Sequence, residues 1–322
     1  MTIFLSKVLI VFPGTALMVF VYVVLVFLIL RFSVTIFNFL SNPKLGHYGK
    51  KFDDKVSIII RKSSNNIAPL QQSISLQDYK NVEVLTAASE EEQTTLALKA
   101  EGRYLLFLDS ESMIRKGLLN SLLYRIKVFN LRYIVLIPDK KLNTFYDYLL
   151  QPLGDFVLMN LLPLRLVRLL NLPSMAKTSS RYLFYDAAYY SNRYSDTSAG
   201  QKDERKVETL LSNKMIVSEH KTSAKQISKD LLEIFDSNPF TVVAYLLLLI
   251  VGPIILLLYF DLSLLSLPLG LIFLSRVMIS FLCRQNPLLN VILHPLQMIA
   301  LTCLLLTALA SKLFTSDKHS ES

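Results

Sequence analysis

Two carboxylates follow a short apolar segment in the middle of the chain. Residues 104–108 read YLLFL, have the length of a buried strand, and end directly before Asp109, Ser110 and Glu111. Hard cations such as Mg²⁺ take oxygen ligands, usually one or two carboxylates with water and substrate phosphate completing the set. The spacing therefore suits a divalent cation that holds a nucleotide diphosphate. A solvated acidic turn is the alternative interpretation of the same residues.

The elements that must position these carboxylates begin upstream. Residues 56–60 form a β-branched segment typical of a fully buried strand, and residues 82–85 form a second short strand. Between them, residues 67–76 carry apolar side chains at helical spacing, and residues 90–100 are rich in helix formers. Alternating strands and helices predict an α/β domain with a mainly parallel sheet.

Ligands of open parallel sheets bind outside the carboxyl ends of the strands. Residues 61–66, 86–90 and 109–111 follow the three predicted strands, so we expect these loops to converge on one crevice. The polar side chains that we assign to ligand binding there are Arg61, Ser89, Asp109 and Glu111.

The composition indicates a membrane protein with a soluble middle region. Of the 322 residues, 52% are hydrophobic, and the apolar excess is concentrated at the two ends. The net charge is +9, but the Lys and Arg residues are scattered and form no basic helix or strip, so we expect no nucleic-acid partner. Attraction of these residues to anionic lipid headgroups explains the positive charge better. Cys283 and Cys303 have neither metal-ligand spacing nor a disulfide framework around them.

Four apolar segments are long enough to cross a hydrocarbon core of about 30 Å. We predict transmembrane helices at residues 8–30, 239–260, 262–283 and 288–310. A cleaved signal peptide is the alternative for the first segment, which however ends in Leu30-Arg31-Phe32 instead of small residues.

Positive charges set the predicted orientation. Arg31, Lys44, Lys50 and Lys51 follow the first helix, whereas Lys7 alone precedes it. By the positive-inside rule, the middle region is cytoplasmic and both termini lie outside. We therefore expect a multi-pass integral protein of a bacterial inner membrane.

Two ionisable residues fall within the predicted spans. Arg276 either binds a lipid phosphate or extends its stem to the cytoplasmic interface. His294 precedes Pro295 and is most simply a hydrogen-bonded helix contact beside a kink. So few ionisable groups within the spans disfavour a transporter or channel.

Residues 146–173 alternate leucines with Arg165 and Arg168 and are interrupted by prolines. The segment is too polar to span a bilayer, and its pattern predicts an interfacial amphipathic helix pair with the arginines at the lipid headgroups. A lipid substrate could move along this surface into the crevice. A plain core helix is the alternative.

These assignments divide the chain into five regions. They are a transmembrane anchor at 1–40, a linker at 41–54, a cytoplasmic α/β domain at 55–235, three transmembrane helices at 236–312 and a polar tail at 313–322.

Three stretches of the middle region resemble the family 2 glycosyltransferases of the GT-A fold. VSIII at 56–60, SISLQDYKNVEVL at 73–85 and AEGRYLLFLDSESMIRKGLL at 100–119 are similar to the family's opening strand, its Leu-x-x-Gln-x-Tyr segment and its strand before the Asp-x-Asp metal motif. The leading helix, the trailing helices and the pair His294-Pro295 resemble the membrane-embedded branch that modifies carotenoids, hopanoids and other lipids.

The resemblance implies roles for individual residues. Asp109 and Glu111 match the metal motif and would hold Mg²⁺ or Mn²⁺ on the donor diphosphate. Glu204, with Asp203 in second place, falls near the position of the family's general base. The chain also departs from the pattern, because Arg61 stands where proline is usual and residues 86–88 stand where an acidic cluster binds the nucleotide base.

Residues 181–190 resemble the strand and turn that line the acceptor side in the family. The candidate packing residues there are Tyr182, Phe184 and Tyr189. A half-buried sheet surface is the alternative interpretation of aromatic side chains at this spacing.

Taken together, the resemblance implies a membrane-bound hexosyl-type transferase. It would move a sugar from a nucleotide-diphosphate sugar to a lipid acceptor by metal-assisted inverting transfer. The alternative is a catalytically degenerate, transferase-like membrane scaffold that serves partner enzymes of a lipid or envelope pathway. Metal-dependent binding of a nucleotide sugar distinguishes the two.

Overall fold

A computed structural model describes residues 14–62, 67–169, 181–194, 206–219, 223–259 and 261–320. The helices are α1 (Gly14–Ser41), α2 (Ala68–Ser75), α3 (Glu90–Lys99), α4 (Leu118–Val128), α5 (Phe145–Leu161), α6 (Leu164–Leu169), α7 (Ala187–Tyr194), α8 (Ala224–Ile234), α9 (Pro239–Leu246), α10 (Gly252–Tyr259), α11 (Leu262–Leu282), α12 (Pro287–Ile292) and α13 (His294–Ser320). A π-helical turn, Leu247–Val251, joins α9 to α10.

The strands form two sheets. They are β1 (Val56–Arg61), β2 (Val82–Ala87), β3 (Tyr104–Asp109), β4 (Ser112–Ile114), β5 (Tyr133–Ile137), β6 (Asp139–Lys140), β7 (Leu183–Asp186), β8 (Val207–Leu211) and β9 (Ile216–Ser218). The larger sheet has the order β2-β1-β3-β7-β5-β8, and the smaller one has the order β4-β9-β6. Within the larger sheet only β7 runs antiparallel to its neighbours. The predicted α/β class with a mainly parallel sheet is confirmed.

The two faces of the larger sheet are covered by different elements. Along β3, Leu105 and Phe107 belong to a hydrophobic cluster that includes residues of α5, α9, α11 and α13. Leu106 and Leu108 point the other way and pack in a cluster with α4. Successive side chains of a strand face opposite sides, so burial of both sets explains why β3 is apolar throughout.

Within the described residues, four helices are long and apolar enough to cross a membrane, as predicted, with one before the sheet domain and three after it. They are Gly14–Ser41, Pro239–Tyr259, Leu265–Leu282 and His294–Lys312. Three boundaries differ from the prediction. The first helix continues eleven residues past Leu30, and the last begins at His294 because Pro295 lacks the amide hydrogen needed inside a helix. The last helix also continues ten residues past residue 310, to Ser320.

The extension of α1 has a structural reason. A helix of 28 residues is about 42 Å long, which exceeds the hydrocarbon core by about 12 Å. Its last turns carry Thr35 and Asn38, both buried against the segment that joins α5 to α6. The end of α1 therefore belongs structurally to the sheet domain.

The segment predicted to be an interfacial helix pair forms α5 and α6. Phe156 and Val157 of α5 are buried between the sheet and the candidate spans, as the core-helix alternative anticipated. Arg165 and Arg168, expected at lipid headgroups, both form ion pairs with the buried carboxylate of Glu208 on β8, a partner that the prediction did not include. The placement of α5 and α6 relative to a bilayer stays a prediction.

Arg276 and His294, the two ionisable residues expected within the trailing spans, are buried in protein. The Arg276 guanidinium donates to Gln297 and lies 4.7 Å from the ring centroid of Phe156, so it does not extend to an interface. His294 packs its ring edge-on against Phe156 and Phe273. Its Nδ1 is buried without a hydrogen-bond partner in the described structure, in contrast to the predicted hydrogen-bonded contact.

Candidate functional site

The strand register brings the first two site residues together. β1 lies between β2 and β3, and its last residue, Arg61, is directly beside Ala87 on one side and Asp109 on the other. Arg61 Nε donates to Asp109 Oδ1 at 2.9 Å. Asp109 is 1% exposed, so this is an almost fully buried carboxylate at the carboxyl end of a central strand. Sequence spacing predicted the position of both residues but not their ion pair.

A second arginine approaches Asp109 from the other side. Arg181, just before β7, places a guanidinium nitrogen 3.6 Å from Asp109 Oδ2 and another 3.8 Å from a carboxylate oxygen of Asp230 on α8. At 3.6 Å the first contact is an ion pair without a hydrogen bond. Asp109 Oδ2 is therefore a buried carboxylate oxygen that accepts no hydrogen bond in the described structure.

Glu111 lies in the short turn between β3 and β4 and is half-buried. Its carbonyl oxygen accepts a hydrogen bond from the amide of Glu219 at 2.8 Å, next to the pairing of β4 with β9. The smaller sheet thus fixes the backbone that carries Glu111 beside Asp109.

The loop after β2 contributes less than predicted. The Ser89 hydroxyl caps α3 by accepting a hydrogen bond from the Glu92 amide at 3.1 Å, so this side chain is engaged in starting the helix. Glu90 instead reaches the site, with Oε1 3.4 Å from a terminal nitrogen of Arg61.

The residues present are compatible with a divalent cation. Among the described residues, no group of three or more His, Cys, Asp or Glu side chains is arranged to hold a metal. Mg²⁺ and Mn²⁺ need fewer protein ligands when water and phosphate complete the octahedron. Asp109 Oδ2, buried and without a hydrogen bond, is the oxygen that such a cation would take, with Glu111 two residues further on.

A cavity of about 140 Å³ adjoins Arg181. Its walls come from the end of β5, from α5 and from α8, and the polar residues that face it include Arg181, Tyr182, Asp155 and Asp230. Burial and the nearby Asp109 carboxylate raise the pKa of Tyr182, so its hydroxyl stays protonated. Burial and the neighbouring Asp230 also raise the pKa of Glu233 on the same helix.

The remaining predicted residues divide into two groups. Glu204 and Asp203, assigned to the general base, lie outside the described residues. Tyr182 and Phe184 are buried, and Phe184 stacks on Tyr104. Tyr189 is half-buried on α7 and stacks on Tyr133. Of these three aromatic residues only Phe184 lies on a strand, and it is fully buried instead of half-buried.

Arg181 and Asp230 were missed by sequence reasoning. Arg181 was noted only as the start of an acceptor-side segment, and Asp230 lies on a helix with no motif around it. The amphipathic pattern of α8 was the only signal present, because its apolar side packs on α5 and α13 while Asp230 faces the cavity.

No protein-family model and no curated protein matches the chain. Among solved structures, residues 1–349 of Staphylococcus aureus TarS in complex with UDP-GlcNAc align with a TM-score of 0.36 and 13% identity, over 80% of this chain and 91% of that one. The mannosyltransferase PcManGT from Pyrobaculum calidifontis, in complex with GDP-Man and Mn²⁺, aligns with a TM-score of 0.45 and 9% identity, over 89% and 99%. Values this low assign no activity to the present chain.

Fold and site together define a mixed α/β protein with a mainly parallel sheet and four candidate membrane helices. Its charged site lies where the parallel strands β1 and β3 end.

Proposed function

We propose that the protein is a membrane-bound glycosyltransferase that moves a sugar from a nucleotide-diphosphate sugar to a lipid acceptor. The observation that carries the proposal is the buried Asp109 carboxylate at the end of β3, with one oxygen held by Arg61 and the other without a hydrogen bond. Ligands of parallel sheets bind at this edge. The proposal includes the Asp-x-Glu resemblance to the metal motif of family 2 enzymes.

The charges at this edge suit a diphosphate. Arg61 and Arg181 provide two guanidinium groups, which bind phosphate oxygens in paired hydrogen bonds. Asp109 and Glu111 would hold Mg²⁺ or Mn²⁺, and the cation would supply charge neutralisation for the departing diphosphate. Bound donor and cation together would give the two arginines phosphate partners and would ligate the Asp109 oxygen that accepts no hydrogen bond.

The acceptor would come from the membrane. α5 packs on the sheet and on the candidate spans α1, α11 and α13, so the site and the membrane helices share one hydrophobic core. In the proposed inverting transfer, Glu204, or Asp203, takes the proton of the acceptor hydroxyl or carboxyl group as it attacks the sugar. A hexose is the proposed donor sugar.

Binding of the donor tests the proposal directly. Full-length protein in detergent is titrated by calorimetry with UDP- and GDP-sugars, in Mn²⁺ and again in excess chelator. We expect one donor to bind only with the cation and Asp109→Ala to abolish that binding. Asp53→Ala removes the same charge at an exposed position near the amino ends of the strands and should bind as the wild type does.

One observation favours the scaffold as a second candidate. Because Arg61 and Arg181 already compensate Asp109, the carboxylate is stable without any ligand. Folded protein that binds none of these donors, with or without Mn²⁺, would overturn the transferase and support a scaffold for partner enzymes in a lipid pathway.

A further inference from the structure

A second cavity, of about 270 Å³, lies where the membrane helices meet the sheet domain. Lys44, three residues after α1, forms one wall beside Leu211 at the end of β8. Leu282 and Cys283, at the end of α11, form another. Two candidate spans therefore end at this cavity, on the side that carries the sheet domain.

The cavity is strongly basic. Six cationic side chains and two carboxylates line it: Lys44, Arg115, Lys140, Lys141, Lys214 and Arg284 with Asp139 and Asp155. Two of the lysines are neutralised, because Lys140 pairs with Asp155 and Lys141 pairs with Glu219.

The remaining cations have no such compensation. Among the described residues, Lys44, Arg115 and Lys214 form no ion pair within 4 Å, and Arg284 binds only the neutral side chain of Asn213. The Asp139 carboxylate accepts hydrogen bonds from the Ser212 hydroxyl and the Lys214 amide. The cavity thus has an excess of positive charge that the chain itself does not balance.

Two of these cations stand at positions where the backbone favours glycine. Lys214, in the turn between β8 and β9, has φ of 66°, and Arg284, just past the end of α11, has φ of 58°. Side chains with a Cβ adopt this left-handed region at a cost in free energy, and glycine is the usual residue in both contexts. Residues with strained backbone cluster at functional sites, so Lys214 and Arg284 are candidates for a binding role.

The pKa of Lys44 reflects the uncompensated positive charge in the cavity. It is half-buried, and burial together with the nearby Arg284 lowers its pKa. An anion bound between the two side chains would relieve this repulsion.

We propose that the cavity binds the phosphate headgroup of an anionic membrane lipid. The uncompensated cations supply the phosphate contacts. The two candidate spans that end at the cavity place it on the side of the sheet domain that faces the membrane, where lipid headgroups would meet protein. The site shares Ile137, Pro138, Lys140 and Asp155 with the smaller cavity beside Arg181. Its four uncompensated cations, Lys44, Arg115, Lys214 and Arg284, do not line that smaller cavity, and the proposal does not depend on glycosyl transfer.

The test compares three probes on full-length protein in a neutral detergent. Dodecyl phosphate has the phosphate and an alkyl chain, inorganic phosphate has only the anion, and dodecanol has only the chain. Thermal unfolding is followed by circular dichroism as each probe is titrated. We expect dodecyl phosphate to raise the unfolding midpoint at about tenfold lower concentration than inorganic phosphate, and dodecanol to leave it unchanged.

The decisive variant is Lys214→Gly/Arg284→Gly. Glycine relaxes the backbone at both positions, so the variant should fold at least as stably as the wild type. It should need at least about tenfold more dodecyl phosphate for the same shift. Lys80→Ala/Lys99→Ala removes two exposed charges outside the cavity, near the amino ends of the strands, and should respond like the wild type.

Three results would overturn the proposal. An equal response of the glycine variant and the wild type would exclude these side chains from phosphate binding. Equal potency of inorganic phosphate and dodecyl phosphate would make the ligand a free anion, and equal potency of dodecanol would make the contact purely apolar. No nucleotide sugar enters the experiment, so its outcome is separate from that of the donor titration.

Discussion

Gln285 Nε2 donates a hydrogen bond to Asp155 Oδ2 at 2.7 Å and so joins the connection after α11 to α5. Asp155 also pairs with Lys140 of the small sheet at 3.2 Å, and Gln285 accepts from Asn290 at 2.8 Å. Asn290 in turn accepts from Gln297, which binds Arg276. A continuous chain of polar contacts therefore leads from the sheet domain into the candidate membrane helices.

Removing Gln285 from the middle of this chain of contacts should destabilise the protein. We expect Gln285→Ala to lower the free energy of unfolding by about 1–3 kcal/mol, because Asp155 Oδ2 loses its hydrogen-bond donor and the Asn290 amide loses one of its two acceptors. In an Asp155→Ala background the same change should cost measurably less. Urea unfolding of the detergent-solubilised protein gives all four values, with Gln71→Ala on the exposed side of α2 as control. If the effects of Gln285→Ala and Asp155→Ala on the free energy of unfolding are additive, the hydrogen bond between the two side chains does not contribute to stability.

Arg61 should be needed for stability because Asp109 is buried. Removing its guanidinium leaves that carboxylate with only the 3.6 Å contact to Arg181, so Arg61→Ala should destabilise by about 2–3 kcal/mol. Asp109→Asn removes the charge that needs compensation. The double variant Arg61→Ala/Asp109→Asn should therefore be more stable than Arg61→Ala alone in the same urea titration. If the double variant is less stable than Arg61→Ala, compensation of the Asp109 charge is not the reason why Arg61 stabilises the protein.

Glu208 should be the most sensitive carboxylate of the sheet domain. It is fully buried on β8, accepts two bonds from Arg125 at 2.6 Å, and pairs with Arg165 at 3.0 Å and Arg168 at 3.1 Å. Glu208→Gln leaves three arginines without a counter-charge and should cost about 3–5 kcal/mol. Glu219→Gln breaks the exposed pair with Lys141 and should cost less than about 1 kcal/mol. Similar losses for both variants would contradict the buried-charge account.

Tyr79 should make the protein sensitive to alkaline pH. It is buried and donates to the Asp54 carbonyl, and burial raises its pKa to about 12 from an ordinary value of about 10. Its contribution to stability is therefore complete below about pH 10 and is lost as the pH rises towards 12, by up to about 1.4 kcal/mol per pH unit. Tyr79→Phe should remove that part of the pH dependence of unfolding, whereas Tyr146→Phe at an exposed position should keep it. Identical slopes for Tyr79→Phe and wild type would refute the assignment.

Gly102 should tolerate no side chain. A Cβ at this position would lie 2.5 Å from the Ser57 amide nitrogen, so β1 and the start of β3 would have to separate. Gly102→Ala should cost about 1–3 kcal/mol. At Gly49 a Cβ would have no neighbouring atom within 4 Å, and Gly49→Ala should leave the unfolding midpoint within error. A neutral Gly102→Ala would mean that the strands can shift at no cost.

The first half of the sheet was predictable because its signals are local. β1, β2 and β3 are short apolar segments separated by helical patterns, and the polar residues that follow them are adjacent in sequence. Parallel pairing alone then places Arg61 beside Asp109.

The partners of these residues were not predictable, because they come from distant parts of the chain. Arg181 reaches Asp109 across 72 positions, through the antiparallel insertion of β7 between β3 and β5. Arg165 and Arg168 looked like headgroup ligands because Glu208, which they bind, follows forty residues later inside a strand. Arginines beside an apolar segment give the same sequence pattern whether they face lipid headgroups or pair with a buried carboxylate.

The side chain of Asn38, near the end of α1, hydrogen-bonds the backbone groups around the α5–α6 connection. Its amide donates to the carbonyls of Met159 and Leu162, and its carbonyl accepts from the Leu164 amide at 2.9 Å. Three such bonds from one buried side chain fix the angle between α1 and the sheet domain. α1 and the sheet domain are thus rigidly joined, so the distance from Asp109 to the apolar part of α1 is fixed by the fold, and in the proposed transferase a lipid acceptor would have to match that distance.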